Sequence, residues 1–235
     1  HCLNNGPVMT LVNNEYDELG RLKHNRRNGQ SNLHTNYAYN LRSWTESISS
    51  PLFCETLYYN DTRSNPTNTR YYNGNISGMD WSVNGDKKRG YDFSYDNLSR
   101  LLYADYLENN IRNHNFNTSY NYDKQGNIVS LMRSGNQNTT YGIIDNLTLN
   151  YRGNQLIKVE DTASDSNLSV SSMDFRNGAK QDVEYFYDEN GNLIKDLNKG
   201  IADIQYNLLN LPRRITFNDK NKSTHEYVYS ADGKK

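Results

Sequence analysis

The sequence predicts an almost all-β protein, in which antiparallel β-hairpins stack side by side into one continuing sheet. Three observations support this fold class. The composition is rich in tyrosine, a short turn motif recurs along the chain, and aromatic or branched residues alternate with other residues before the turns. Because one hairpin alone is marginally stable in water, we expect each unit to cover the apolar face of its neighbour.

The composition is polar, but it is not that of a disordered chain. Hydrophobic residues make up 34% of the 235 residues and the mean hydropathy is -0.98, values that taken alone favour disorder. The chain nevertheless contains 20 Tyr, against 6 Phe and 2 Trp. Tyr suits a pleated, half-buried surface with its hydroxyl at the wet edge. We therefore expect an ordered β protein with a thin, Tyr-rich core.

A motif of the form Tyr-Asp-x-x-Gly-x-Leu recurs along the chain. Its clearest copies are YDELGRL, YDNLSRL, YDKQGNI and YDENGNL, which begin at Tyr16, Tyr95, Tyr122 and Tyr187. Tyr is expected to end a strand, Asp to open a type I turn by accepting backbone N–H groups, and Gly to supply the positive φ. The Leu or Ile that follows begins the returning strand, where Leu193 could pair with Tyr187 across the hairpin.

The signature residues of these copies are predicted to be structural. They are Tyr16, Asp17, Gly20, Tyr95, Asp96, Tyr122, Asp123, Gly126, Tyr187, Asp188 and Gly191. The second copy has Ser99 in the place of Gly. Weaker copies begin at Tyr39, Tyr72, Tyr151, Tyr206 and Tyr229. Since the spacing between copies is irregular, the hairpin loops must differ in length.

We expect a single repeat region over residues 1–235, because strand and turn signals run through most of the chain. Val183, Tyr185 and Tyr187 illustrate the period of two. No segment carries a sustained helical stripe of apolar residues. The predicted interruption is a long loop near 162–180, rich in Ser, Asp and Asn, in which residues 173–175 could pack against the sheet.

Charge and motifs argue against several classes of function. The net charge of -1, from 26 basic and 27 acidic residues, gives no long-range field toward nucleic acid or anionic lipid. No run approaches the roughly 20 apolar residues of a membrane span. The histidines have no metal-ligand spacing. We predict that no residue of this chain is catalytic, binds a cofactor or binds a metal, and that the chain is not an enzyme. The sequence leaves one enzymatic alternative open, in which two carboxylates face each other as in glycoside hydrolysis.

The chain has two cysteines, Cys2 and Cys54. They are too few for a disulfide framework and show no metal-binding spacing. We expect two free thiols, and one disulfide stays open as an alternative in a secreted protein.

These motifs resemble those of the YD-repeat, or Rhs, family, particularly its bacterial members. The most specific stretch, EYFYDENGNLIKDLNKGIADIQYNLLNLPRRITF, spans residues 184–217. The segment ADGKK from Ala231 resembles the part of the family that leads toward the Rhs core region. The resemblance covers nearly the whole chain and is weak over residues 43–70. It indicates an internal fragment that lies just before the core region.

The resemblance implies a curved or spiralling sheet that forms part of a hollow shell, as in Rhs toxins, the C component of insecticidal toxin complexes and teneurins. The chain would be a structural segment of a secreted or cell-surface bacterial protein that encloses or presents a C-terminal effector. Its partners would be the remainder of its own polypeptide and that effector. A self-cleaving aspartyl site, where present, is expected beyond Lys235. The alternative is a cell-surface carbohydrate-binding or adhesion module, in which Tyr and Asn contact glycans.

Overall fold

A computed structural model describes residues 6, 8–63, 66–163 and 174–235. Almost all regular structure in these ranges is β-strand, and the one helical element among them is a short 3-10 turn, Ser31–Leu33. The predicted fold class of stacked antiparallel hairpins is confirmed. The Cα positions divide the chain into two compact units, His1–Asn117 and Thr118–Lys235. The expectation of a single repeat region stays a prediction.

The first unit is an antiparallel sheet in which strands β1 to β8 pair in chain order, while β9 pairs with β8. The strands are β1 (Val12–Tyr16), β2 (Leu22–Arg27), β3 (His34–Tyr39), β4 (Thr45–Ser49), β5 (Phe53–Tyr58), β6 (Gly78–Val83), β7 (Arg89–Tyr95), β8 (Leu101–Glu108) and β9 (Ile111–Arg112). The connection from β5 to β6 is long, because Tyr58 lacks the turn sequence that follows the motif tyrosines.

The second unit contains two runs of antiparallel strands that also pair in chain order. The first run is β10 (Thr118–Tyr122), β11 (Ile128–Gln137), β12 (Thr140–Arg152) and β13 (Gln155–Asp161). The second run is β14 (Tyr185–Tyr187), β15 (Leu193–Asp196), β16 (Ile201–Tyr206), β17 (Pro212–Phe217) and β18 (His225–Glu226).

Each motif hairpin has the same irregularity at its tyrosine. In the hairpin of β14 and β15 the register shifts between Phe186 and Tyr187, and Tyr187 then pairs with Leu193. The predicted pairing of Tyr187 with Leu193 is therefore confirmed. The shift recurs immediately before Tyr16, Tyr39, Tyr95, Tyr122, Tyr151 and Tyr206. A bulge of this kind increases the local twist of the strand and re-aims the side chain that follows it.

The core of the second unit is thin, as the composition predicts. Leu147, Val159 and Tyr185 are buried together, and Phe175 packs against them. The prediction that Phe175 lies against the sheet is confirmed, whereas Met173 lies outside the described residues. The described parts of the expected loop, 162–163 and 174–180, contain no helix or strand.

Two smaller expectations concern the thiols and the membrane. Cys54 is free and exposed, and Cys2 lies outside the described residues. Among the residues that the structure covers, none belongs to a helix long and apolar enough to cross a membrane.

Candidate functional site

The motif turns are built by the carboxylate of their Asp. Oδ1 of Asp17 accepts hydrogen bonds from the backbone N–H groups of Leu19 and Arg21, both at 2.9 Å. The backbone N–H of Gly20 donates to the carbonyl of Asp17 at 2.9 Å, and Gly20 has φ +77°. The carboxylate of Asp17 and the positive φ of Gly20 together close this turn.

The other three clear copies have the same turn. Asp96, Asp123 and Asp188 each accept the backbone N–H of the residue four positions later, at 2.8 to 2.9 Å. Gly126 and Gly191 have positive φ, and Ser99 adopts φ +62° in the position where the other copies have Gly. Ser99 is thus held in the left-handed region that L-residues other than Asn and Asp seldom occupy.

Asn replaces Asp in three of the weaker copies, at Asn40, Asn73 and Asn207, and two of these make both turn hydrogen bonds. Oδ1 of Asn40 accepts from the backbone N–H groups of Arg42 and Trp44, and Oδ1 of Asn207 accepts from those of Leu209 and Leu211. An amide oxygen is as suitable an acceptor as a carboxylate for this turn. The turn therefore needs an acceptor at this position and does not need an acid.

The motif carboxylates are ionised hydrogen-bond acceptors. Hydrogen bonds from the side chain and backbone of Asn192 hold the pKa of Asp188 below its usual value. The backbone N–H and guanidinium of Arg100 lower the pKa of Asp96 in the same way, against a smaller opposing effect of burial. A general acid needs a raised pKa near the working pH. These carboxylates therefore have the properties of turn residues and not of acid catalysts.

A series of tyrosine hydroxyls connects consecutive hairpins, and we call it the tyrosine ladder. Each hydroxyl donates to a backbone carbonyl at 2.8 to 3.0 Å. In the first unit the pairs are Tyr39 with Leu22, Tyr59 with Thr45 and Tyr95 with Ile76. In the second unit they are Tyr151 with Ile128, Tyr187 with Leu156, Tyr206 with Leu193 and Tyr229 with Pro212.

The ladder follows a rule of position. Tyr187 pairs with Leu193 across its own hairpin, and the carbonyl of Leu193 accepts the hydroxyl of Tyr206 from the next hairpin. Pro212 in turn pairs with Tyr206 and accepts the hydroxyl of Tyr229. The same relation holds for Tyr39 with Leu22, Tyr151 with Ile128 and Tyr187 with Leu156. Tyr95 differs, because it donates to Ile76, which precedes β6. Phe could fill the same space but could not donate this hydrogen bond.

The sequence reasoning identified the tyrosines and did not identify the ladder. The abundance of Tyr over Phe was the available signal, because a purely apolar role would not require the hydroxyl. Tyr59, from the segment with the weakest resemblance, is buried and joins the ladder. The ladder tyrosines use their hydroxyls internally, whereas Tyr72 is 61% exposed.

A chain of alternating charges lies in the first unit and includes a buried arginine. The Arg63 side chain is 2% exposed, and its guanidinium contacts Asp80 at 2.7 Å and also contacts Asp92. Lys88 contacts Asp80 at 2.7 Å, and Arg112 contacts Asp92 at 2.5 Å. Burial tends to raise the pKa of Asp80, but hydrogen bonds from Arg63 and Lys88 outweigh it and leave that pKa lowered.

This charged network fastens the long connection between β5 and β6 to the sheet. The backbone N–H of Arg63 donates to Asn68 at 2.6 Å, and Arg112 donates to the carbonyl of Thr67 at 2.9 Å. Arg63 lies in the connection, while Asp80 and Asp92 lie on β6 and β7. No sequence motif predicts this network, because its members are far apart in the chain.

Metal-binding clusters and cavities were the remaining candidates for a functional site within the described residues. No group of three or more His, Cys, Asp or Glu in these ranges could hold a metal ion. One cavity of about 540 Å³ lies beside the motif turns of the first unit and is lined by residues that include Arg21, Tyr39 and Arg42. The guanidinium of Arg21 covers the ring of Tyr39, with 4.8 Å to the centroid. One face of the Tyr39 ring is therefore occupied by Arg21.

Comparisons with known proteins agree with the hairpin architecture. The chain is similar to the crystal structures of TcdB2-TccC3-Cdc42 and TcdB2-TccC3-TEV, each with a TM-score of 0.58. Sequence identity is 18% and 14%, and each match covers 94% of this chain. The chain shares their fold. It spans 12% of the length of the chains that it matches. No family model matches the sequence, and no curated protein matches it.

Proposed function

We propose that this chain is a shell segment of a larger Rhs-type protein, one that encloses or presents a C-terminal effector. The tyrosine ladder is the observation that carries this proposal, because it joins hairpin to hairpin and can continue for as many repeats as the polypeptide supplies. The similarity in fold to the TcdB2-TccC3 structures supports the proposal. The sequence motifs add the resemblance to YD repeats.

The chemistry of the repeats suits a scaffold. The motif carboxylates are occupied by backbone N–H groups of their own turns, and the ladder hydroxyls by carbonyls of the preceding hairpins. Polar groups committed in this way stabilise a thin sheet that has little apolar area to bury. We infer that the segment has no catalytic role of its own and that its main partners are the rest of its polypeptide and the effector. Export to the bacterial surface or medium belongs to this proposal.

Limited proteolysis of the full-length protein tests the proposal. A shell predicts that this region and an enclosed C-terminal piece both survive protease concentrations that digest exposed linkers. The variant Tyr187→Phe/Tyr206→Phe removes two ladder hydrogen bonds and should increase cleavage of the enclosed piece. Tyr72→Phe, at an exposed tyrosine outside the ladder, is the matched control and should leave the pattern unchanged. Uniform digestion of the unmodified protein would contradict the shell.

A further inference from the structure

The motif turns of the first unit lie in a row along one edge of its sheet, and we call this edge the turn rim. It consists of the turns at 17–21, 40–44, 72–75 and 96–100. The guanidinium of Arg21 donates to a backbone carbonyl of the next turn at 3.2 Å. Arg42 donates to the carbonyl of Tyr72 at 2.7 Å. Nδ2 of Asn73 donates to the hydroxyl oxygen of Ser99 at 3.1 Å, so side chains join the turns in order.

Apolar side chains stand exposed at the tips of the turn rim. Leu19 and Leu98 are each 71% exposed, and Leu41 is 104% exposed. The weak copy contributes Tyr72, which is 61% exposed. Neighbouring hairpins of a sheet are two strand spacings apart, which is roughly 10 Å. A row of large exposed apolar residues marks an interaction surface, and Tyr is a residue that suits the boundary between lipid and water.

The tips can leave water at little cost, because the turn carboxylates already pair their backbone donors. The backbone N–H of Leu19 donates to Oδ1 of Asp17 at 2.9 Å. The backbone N–H of Leu98 donates to Oδ1 of Asp96 at the same distance. A polar backbone group is costly in an apolar phase when it has no hydrogen-bond partner. The side chains of Leu19 and Leu98 therefore enter such a phase with their own N–H groups satisfied.

The cavity of about 540 Å³ beside these turns carries charges of both signs. Leu19 and Leu41 line it, together with Arg42, Glu46 and Asp61. Within the described residues, none of these three charged side chains lies within ion-pair distance of an opposite charge. A guanidinium forms charge-assisted hydrogen bonds with phosphate, and carboxylates attract a quaternary ammonium. The charges of the cavity therefore complement a ligand that carries a phosphate and an ammonium together.

We propose that the turn rim docks on a zwitterionic phospholipid surface, with its three tip leucines inserted at the boundary between headgroups and acyl chains. In the cavity, Arg42 contacts the lipid phosphate, and Glu46 and Asp61 contact the quaternary ammonium. The leucines stand on separate tips, so a fluid lipid surface can accommodate all of them. The acidic side chains at the rim, which include Glu18, disfavour an anionic surface. This proposal goes beyond the shell role and does not rest on it, since the tyrosine ladder is not involved.

Co-sedimentation of the full chain with phosphatidylcholine vesicles tests the proposal. We expect half of the chain to be bound at about 0.1 to 1 mM lipid, and no tighter binding when phosphatidylserine is added to the vesicles. The variant Leu19→Ser/Leu41→Ser/Leu98→Ser should weaken binding at least about tenfold, because less apolar area enters the lipid.

Ile111→Ser is the matched control for the tip leucines. Ile111 is 67% exposed, but it pairs with Glu108 at the end of β8 that lies away from the turn rim. This variant should bind the vesicles like the unmodified chain. Arg42→Gln tests the headgroup contact and should weaken binding to phosphatidylcholine vesicles about threefold to tenfold. Free phosphocholine should bind at least about tenfold more weakly than the vesicle lipid, because it has no acyl chains.

Several results would overturn the proposal. They include the absence of sedimentation with phosphatidylcholine vesicles, an equal loss of binding in the Ile111→Ser control, and unchanged binding of the Arg42→Gln variant. Tighter binding to vesicles with phosphatidylserine would indicate simple attraction to negative charge, and free phosphocholine that binds as tightly as the vesicle lipid would indicate a site for a soluble ligand. Self-association of the chain that the triple leucine variant abolishes, without vesicle binding, would show that a second copy covers the turn rim.

Discussion

Replacement of Arg63 by Met should destabilise the first unit more than any exposed charge replacement in it. The Arg63 side chain is 2% exposed and contacts two carboxylates, those of Asp80 and Asp92, whose side chains are 6% and 12% exposed. Met fills much of the same volume but leaves both carboxylates without this partner. Removing one member of a buried ion pair costs about 3 to 5 kcal/mol.

The lower end of that range applies here, because each carboxylate keeps another cation. Asp80 retains Lys88 at 2.7 Å, and Asp92 retains Arg112 at 2.5 Å. Asp80 also retains the hydroxyl of Tyr58 at 2.9 Å. We therefore expect Arg63→Met to lower the free energy of unfolding by about 3 kcal/mol.

Urea unfolding followed by tryptophan fluorescence measures this change, because both tryptophans, Trp44 and Trp81, belong to the first unit. Arg26→Met is the control, since Arg26 and its partner Glu15 are each 46% exposed and lie 3.2 Å apart. An exposed pair contributes about 0 to 1 kcal/mol. A cost for Arg63→Met no larger than that of the control would refute the reasoning.

Three further predictions concern pH and the turns. Because the folded-state pKa of Asp80 is lowered, its contribution to stability should be full above about pH 5 and should be lost as the pH falls below about 4. Urea unfolding followed by fluorescence at several pH values checks this, and a urea midpoint that does not change in acid would contradict it. Ser99→Gly should stabilise the chain by about 0.5 to 1 kcal/mol by relieving a positive φ, while Gly126→Ala should cost about 1 kcal/mol for the same reason, both measured by urea unfolding. Asp188→Ala should lower the Tm by a few degrees, whereas Asp188→Asn should lower it much less, because the turn needs an acceptor and not a charge. Thermal unfolding followed by circular dichroism measures both Tm values, and equal losses in the two variants would count against this prediction.

Local chemistry explains why the hairpins could be predicted from the sequence. The turn at Tyr187 depends on residues that lie within seven positions of one another, so Asp188, Gly191 and Leu193 could be assigned their roles from spacing alone. The same reasoning predicts β14 and β15, and it predicts no long helix, which agrees with the part of the chain that the structure describes. Turn geometry is a property of a short segment, and the sequence displays it directly.

The ladder and the charged network could not be predicted in this way. The hydroxyl of Tyr39 reaches a carbonyl 17 positions earlier, and Arg63 contacts Asp92, 29 positions later. Such distances depend on which strands become neighbours and on where a register shift occurs. A consensus with Asp does not predict Asn40 and Asn207 as acceptors in their turns, although an amide oxygen serves equally well.

The most direct test of the account is the triple variant Tyr39→Phe/Tyr59→Phe/Tyr95→Phe in the first unit. Each change removes one ladder hydrogen bond and keeps the ring. At about 1 kcal/mol for each bond, the account predicts a loss of about 3 kcal/mol in the free energy of unfolding, measured by urea titration with tryptophan fluorescence. Tyr72→Phe should cost nothing measurable. A triple variant as stable as the unmodified chain would contradict the claim that these hydroxyls join the hairpins.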